Sequence, residues 1–188
     1  KFEIFVKFPT SHIRPIHETS RISIQEVKRS GGRDFLMAVV HLQSKRNASP
    51  DSQVQYAVHH AQQISQAEKT AGHRRTIVIG DLNMNPFESG IAGALGFHAT
   101  MSRDIASRIS RSIDGQDYFY FYNPMWSLMG DLNNKPPGTH FYEKSEPVQL
   151  GWNMYDQVLL RPELIRSIDK GSCEICAHDG DNAAQNKQ

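Results

Sequence analysis

The feature that most limits the fold is a strand, a helix and a second strand in direct succession. The run FLMAVVHLQS, from Phe35 to about Leu42, is continuously apolar and predicts a strand buried on both faces. A long helical segment follows, and Thr76 to Ile79 predicts the next strand. This order is typical of a crossover between strands in a layered α/β domain.

Capping residues mark both ends of the crossover helix. Ser49 is a favourable N-cap, Pro50 suits the first helical position, and Asp51 suits the positive end of the helix dipole. Gly72 is a typical C-terminal stop. One apolar stripe is predicted from residues at helical spacing: Val54, Ala57, Val58, Ala61, Ile64 and Ala67.

Shorter elements are predicted on either side of the crossover. SRISIQEV (residues 20–27) alternates apolar and polar residues and predicts a half-buried strand, with the RSGGRD turn closing a hairpin onto the next strand. Residues 90–110 are predicted to hold a short helix, and Tyr155 to Leu160 a strand that stops before Pro162. The tail after residue 176 has no core-forming residues.

Three further features of the sequence do not by themselves identify a function. The adjacent His59 and His60 cannot both face one point on a helix, so they are predicted to be ordinary helix residues. The run YFYFYNPMW, from Tyr118 to Trp126, either stacks bases or enters a lipid surface, or packs as core and loop residues. Cys173 and Cys176 form a single CxxC, which is too few ligands for an ordinary zinc site and is interpreted as two incidental thiols.

Polar residues end two of the predicted strands. His41 follows VV, and Asp81 follows TIVIG. Because ligands gather at the carboxyl ends of strands in α/β sheets, both residues are expected on one rim. Taken alone, a histidine at the end of a buried strand is more often a satisfied core residue.

The GDLN sequence places two polar side chains two residues apart. In extended backbone, Asp81 and Asn83 would point the same way, and a carboxylate beside an amide could orient a water and donate to a phosphate oxygen. The alternative is an Asx-type turn in which both side chains cap backbone groups. Asp156 poses a similar choice, because an acid in an apolar strand either holds an arginine or orients a histidine.

Composition leaves the partner open. The 188 residues carry 21 basic and 20 acidic side chains, for a net charge of +1, so the chain lacks the overall charge of a nucleic-acid-coating protein. No apolar stretch approaches the ~18 residues of a membrane span. The location is left open by the sequence, with two unpaired-looking cysteines favouring a reducing, cytoplasmic compartment. No obligate protein partner is evident.

Taken together and in this order, the motifs resemble those of the endonuclease/exonuclease/phosphatase (DNase I-like) superfamily. The segments are VVHLQSK, a helix, TIVIGDLNMNPFE, GTHFY and WNMYDQVLLRPEL, over roughly residues 20–164. GDLN is similar to the superfamily's Gly-Asp-Phe-Asn signature, with Leu82 at the usual phenylalanine. The resemblance implies a four-layered α/β sandwich, in which two mixed β-sheets are flanked by helices.

The resemblance also implies a chemistry, the hydrolysis of a phosphoester with a divalent metal, Mg²⁺ or Mn²⁺. Asp81 would orient or deprotonate the attacking water, and Asn83 would bind the reacting phosphate or position that water. His41 would donate to a phosphate oxygen, and Asp156 would hold a catalytic histidine in its working tautomer. Asp81 and Asn83 would be the metal-binding residues.

Two motifs of the superfamily have no match in the chain. The metal-ligand glutamate after the first strands is absent before residue 20, and no Ser-Asp-His follows the last strand. We therefore expect residues 1–188 to be one incomplete domain of a longer protein, without the N-terminal Asn and Glu strands and the C-terminal Asp-His segment.

The leading functional hypothesis is a metal-dependent phosphodiesterase, specifically a nuclease acting on nucleic acid. A phosphomonoesterase or lipid phosphodiesterase, of the sphingomyelinase or inositol-phosphatase kind, is the alternative on the same fold. A binding or scaffold homologue without catalysis is the alternative from another class.

Overall fold

The computed structural model describes residues 2–131, 136–143, 151–169, 171, 173–176, 178–179 and 182–183. Within them the strands are Ile13–Glu18 (β1), Ile22–Val27 (β2), Phe35–His41 (β3), Thr76–Asp81 (β4), Ala99–Thr100 (β5), Ser110–Ile113 (β6), Gln116–Phe119 (β7), Phe121–Tyr122 (β8), His140–Phe141 (β9), Trp152–Asn153 (β10), Asp156–Leu160 (β11), His178–Asp179 (β12) and Asn182–Ala183 (β13). The α-helices are Pro50–Ala71 (α1), Ser89–Ala92 (α2) and Arg103–Ala106 (α3), and 3₁₀ turns span Thr10–His12, Pro124–Leu128 and Pro162–Ser167.

One mixed sheet organises the chain, with strand order β1-β2-β3-β4-β11-β8-β5. β3 and β4 are parallel, β1, β2 and β3 form antiparallel pairs, and β11 is antiparallel to both β4 and β8. The predicted α/β class and its mixed sheet are confirmed. The second mixed sheet of the expected sandwich is not formed by the described residues, which add three two-stranded ribbons instead.

Helix α1 packs on one face of this sheet and forms the main core. Its predicted caps are confirmed, since the Ser49 side chain accepts from the Ser52 N–H and Gly72 adopts the left-handed conformation with φ 73°. The predicted stripe is displaced, with the buried positions being Gln53, Ala57, His60, Ile64, Ala67 and Glu68. Burial of these polar residues is offset in part, because Gln53 Nε2 donates to two loop carbonyls and Glu68 accepts from Arg161 and Thr76.

Two burial predictions for the strands are wrong. β3 is not buried on both faces: Leu36, Ala38 and Val40 are buried against α1, whereas the alternate residues are half-buried because α1 covers one face only. β2 is not half-buried, since all six residues are buried. It lies between β1 and β3, and its polar Gln25 is satisfied by donating to Ser23 Oγ at 2.9 Å.

The aromatic run packs as core, with Tyr120, Phe121 and Tyr122 buried. The short helices α2 and α3 lie in the segment that was predicted to hold a short helix. His60 is a helix residue as predicted, but its side chain is buried, and its Nδ1 lies 2.8 Å from Gln63 Oε1. Among the described residues, no helix is long and apolar enough to cross a membrane. The prediction that the tail after residue 176 adds nothing to the core concerns side chains outside those that the structure describes.

A buried ion pair fastens α1 to the sheet at the end remote from His41. The Arg161 guanidinium donates through Nε to Glu68 Oε1 at 2.8 Å and through Nη2 to Oε2 at 3.1 Å. Glu68 Oε1 also accepts from Thr76 Oγ1 at 2.7 Å, and Arg161 lies over the Phe121 ring. Glu68 thus joins the helix to the first residue of β4 and to the end of β11.

Replacing Glu68 by Gln should therefore lower the free energy of unfolding by about 3–5 kcal/mol, because it leaves the buried Arg161 charge uncompensated. Urea denaturation measures the effect. The matched control is Glu163→Gln, which removes an ion pair to Arg75 of 3.7 Å whose carboxylate is 44% exposed. That change should cost about 0–1 kcal/mol. Equal losses in the two variants would contradict the role given to Glu68.

Candidate active site

The strand register brings three of the predicted site residues abreast. His41 is the partner of Asp81 across the parallel β3–β4 pair, and Asp156 is the partner of Asp81 across the antiparallel β4–β11 pair. His41 Nε2 lies 3.8 Å from Asp81 Oδ2, and their side chains are 58% and 36% exposed. One imidazole and two carboxylates therefore meet at one edge of the sheet, open to solvent.

Gly80 is required for this close arrangement. Its φ is 136°, and a Cβ built at this position would lie 2.1 Å from the carbonyl oxygen of Val40. No side chain fits such an approach, so a glycine before Asp81 lets β4 and β3 stay paired up to their last residues.

The backbone turns sharply after Asp81, which corrects one expectation. Asn83 has φ 49°, so the chain is not extended and the two side chains do not point the same way. Instead the Asn83 N–H donates to Asp81 Oδ1 at 2.8 Å, as in the Asx-type turn. Asn83 is buried, and its Nδ2 donates to the Leu42 carbonyl at 3.0 Å. Its backbone therefore orients Asp81, while its side chain fixes the loop after β3.

The environment of Asp81 favours its protonated form. Burial raises the pKa of the Asp81 carboxyl, and the neighbouring Asp156 charge raises it further. The N–H of Asn83 and the imidazoles of His41 and His140 act in the opposite direction, but the net pKa shift is upward. A carboxylate with a raised pKa is a stronger base than an ordinary one.

Asp156 is exposed, which corrects the expectation of a buried acid. It is the first residue of β11, so its side chain leaves the sheet at the edge where Asp81 lies. Its N–H donates to Thr139 Oγ1 at 3.0 Å, and the Tyr155 N–H donates to the same oxygen at 3.1 Å. Because solvent is available, Asp156 needs no arginine or histidine partner to compensate burial.

A polar network that the sequence did not predict supports the loop after β4. Glu88 Oε1 accepts from Lys45 Nζ at 2.6 Å and from the Asn85 N–H at 2.8 Å. The buried Asn85 side chain donates to Asn153 Oδ1 at 2.9 Å and accepts from the Met154 N–H at 2.8 Å. Asn85 therefore ties the GDLN turn to β10. The sequence signal that could have indicated this role is the MNPFE segment after GDLN, which contains Asn85.

Aromatic rings also line the edge beside Asp81. The His140 ring lies near-parallel to the Tyr155 ring, with centroids 5.4 Å apart, and Lys45 Nζ lies 5.4 Å from the centroid of Tyr155. Burial, with the charges of Glu88 and Asp81, raises the pKa of Tyr155 to about 12, so its phenol stays neutral. The GTHFY segment contains His140, but its sequence alone did not place the ring at the site.

A cleft of about 610 Å³ opens beside Asp156, on the sheet face opposite α1. Its described lining is mostly apolar and contains no Lys, Arg or His: Ile79, Gly80, Met125, Pro136, Gly138, Thr139, Trp152, Asp156, Gln157, Val158, Cys173, Glu174, Ile175 and Cys176. Both cysteines are free. The cleft has the volume of a small-molecule pocket.

The donor atoms at the edge fit a hard divalent cation in part. Two facing carboxylates, Asp81 and Asp156, repel one another, and oxygen donors of this type are those that Mg²⁺ takes together with waters and substrate phosphates. Among the described residues there is no cluster of three or more His, Cys, Asp or Glu that could hold a metal ion. A cation at this edge would therefore depend on additional oxygen ligands.

Comparisons with known proteins identify structural similarity only. No family model matches the chain, and no curated protein matches it. Truncated Caenorhabditis elegans TDP2 is similar at TM-score 0.41 and 16% identity, covering 79% of this chain and 51% of that one. The human Nocturnin catalytic domain with bound sulfate is similar at TM-score 0.38 and 16% identity, covering 82% and 50%.

The chain spans about half the length of each of these two solved structures.

The charges around Asp81 predict opposite effects of two substitutions on its pKa. Asp156→Asn removes a repelling charge, so Asp81 should titrate at a lower pH than in the wild type. His41→Asn removes an imidazole that favours the ionised carboxylate, so Asp81 should titrate at a higher pH. Carboxyl carbon chemical shifts, followed by NMR in metal-free buffer, measure both. Shifts of the same sign in the two variants would contradict this geometry.

Proposed function

We propose that the chain carries the site of a divalent-metal-dependent phosphodiester hydrolase that uses activated water for in-line attack on phosphorus. The observation that supports the proposal is the meeting of His41, Asp81 and Asp156 at one exposed sheet edge. An imidazole donor beside two carboxylates suits a reaction in which a water must lose a proton while negative charge grows on phosphate.

Asp81 is the proposed base. Its Oδ1 is held by the Asn83 N–H, which fixes the carboxylate and leaves Oδ2 directed towards His41. In the proposed reaction, Oδ2 orients the water and takes its proton as the oxygen–phosphorus bond forms.

His41 is the proposed donor to the phosphate. Its ring is more than half exposed and lies next to Asp81, so it can reach a non-bridging oxygen of a phosphate bound at the edge. Donation to that oxygen stabilises the charge that develops during attack. Asn83 acts as a positioning residue in this proposal, because its amide nitrogen is engaged by the Leu42 carbonyl.

Asp81 and Asp156 would hold Mg²⁺ or Mn²⁺, which supplies charge neutralisation of the phosphate and lowers the pKa of a bound water. Asn83 was the expected second ligand. Its burial makes Asp156 the better placed oxygen donor, since Asp156 is exposed opposite Asp81.

The proposed substrate class is nucleic acid, with phosphomonoesters and phospholipids as the alternatives. The cleft beside Asp156 has room for an uncharged part of the substrate, and the Trp152 side chain is part of its described lining. The chain spans about half the length of each solved structure that is similar to it. The activity of the whole protein is therefore also part of this proposal.

Asp81→Asn in the full-length protein should reduce hydrolysis by roughly 10²- to 10⁴-fold, because it removes the base that takes the proton of water. Plasmid DNA, RNA, sphingomyelin and inositol phosphates are each offered with Mg²⁺, and initial rates are compared with those after chelation. DNA or RNA cleavage that requires the metal is the expected wild-type result.

The matched control is Asp117→Asn, which changes an exposed acid on the β6–β7 hairpin. It should keep the wild-type rate and the wild-type thermal stability. Near-wild-type turnover in Asp81→Asn would overturn the assignment of the base. Turnover of none of the four substrates by the wild type would favour a binding homologue without catalysis.

A further inference from the structure

His140 is a second imidazole beside the sheet edge that carries His41, Asp81 and Asp156, called the catalytic edge below. It begins β9 and is exposed, and its ring lies near-parallel to those of Tyr155 and Tyr142, with centroid distances of 5.4 and 6.4 Å and interplanar angles of 20° and 25°. Rings stacked in this way restrict the imidazole plane, while its edge remains available to solvent and substrate.

Thr139, the residue before His140, is hydrogen-bonded to the backbone at the start of β11. Thr139 Oγ1 accepts from the N–H groups of both Tyr155 and Asp156, and the Thr139 N–H donates to the Asn153 carbonyl at 2.8 Å. Gly138 permits this approach, since a Cβ there would lie 2.5 Å from the Asn153 oxygen. The β9–β10 ribbon therefore holds His140 against Tyr155, the residue before Asp156.

The charge distribution agrees with this placement. His140 contributes to the field at Asp81 and favours its ionised form, as His41 does from β3. His41 belongs to the strand on one side of Asp81, whereas His140 follows Thr139, whose Oγ1 accepts from the N–H of Asp156 in the strand on the other side. The carboxylate that would accept the proton of water thus has imidazoles supplied from two sides.

We propose that His140 is a catalytic residue, the general acid that protonates the leaving oxygen of the phosphodiester. The inference rests on the proposed function and adds to it. As the water oxygen bonds to phosphorus, its proton passes to Asp81, and the bond from phosphorus to the leaving oxygen breaks. That oxygen takes the electron pair and a proton from the His140 imidazolium, which gives an alcohol and a phosphomonoester.

A proton donor and a stacking ring make different predictions for the leaving group. An alkoxide must be protonated as it departs, whereas p-nitrophenolate is stable without a proton. Thymidine 5′-p-nitrophenyl phosphate and the dinucleotide thymidylyl-thymidine share the thymidine 5′-phosphoryl group, so they differ in the leaving group alone.

The experiment compares His140→Phe, which keeps a ring but has no proton to donate, with wild type on both esters in the full-length protein with Mg²⁺. The dinucleotide rate should fall by about 10²- to 10⁴-fold, the usual contribution of a positioned general acid. The p-nitrophenyl ester should be hydrolysed within a few-fold of the wild-type rate. His140→Gln should behave in the same way, and thermal melting confirms that both variants fold.

The matched control is His59→Phe, which changes an imidazole on the exposed side of α1 and should alter neither rate. Equal losses on the two esters in His140→Phe, or no loss on either, would overturn the assignment of the acid. If Asp81→Asn is inactive in the same assays, the proposed function survives that outcome. Hydrolysis of neither ester by the wild type would overturn both.

Discussion

The pairing of β4 between β3 and β11 is the constraint on which the site depends. Because side chains alternate along a strand, a slip of one residue would move Asp81 to the face that packs on α1. Leu36, Ala38 and Val40 hold the register by burial against that helix, and Gly80 keeps the backbones close at the last pair. The geometry of the site is thus a consequence of core packing.

Buried amides extend this order into the loops that follow the strands. Gln157 donates to the carbonyls of Met84 and Met154 at 2.6 and 2.8 Å, and accepts from Asn123 Nδ2 at 2.7 Å. Gln53 on α1 donates to the carbonyls of Gln43 and Asn83, both at 3.0 Å. Hydrogen-bonded networks of this kind rigidify their surroundings, so the sheet edge with His41, Asp81 and Asp156 rests on loops that are held in place by the core.

The sequence predicted the features that depend on local periodicity and capping. The ends of α1 and the placement of His41 and Asp81 at neighbouring strand ends are of this kind. The sequence left the direction of Asn83 open between an extended pair and an Asx-type turn, because the bond from its Nδ2 to the Leu42 carbonyl joins residues distant in the chain. His140 was missed for a related reason, since a strand of two residues has no periodicity and the Thr139 contact to Asp156 spans 17 residues.

Paramagnetic Mn²⁺ tests the central claim, that this sheet edge is a metal-dependent phosphoester site, more directly than any rate. Added at substoichiometric amounts to the isotopically labelled protein, it broadens the amide resonances nearest to where it binds. The account predicts that broadening begins at Asp81, Leu82 and Asp156, and is reversed by an excess of Mg²⁺. Broadening centred on the β2–β3 turn at the far end of the sheet, or none at these residues, would contradict the account.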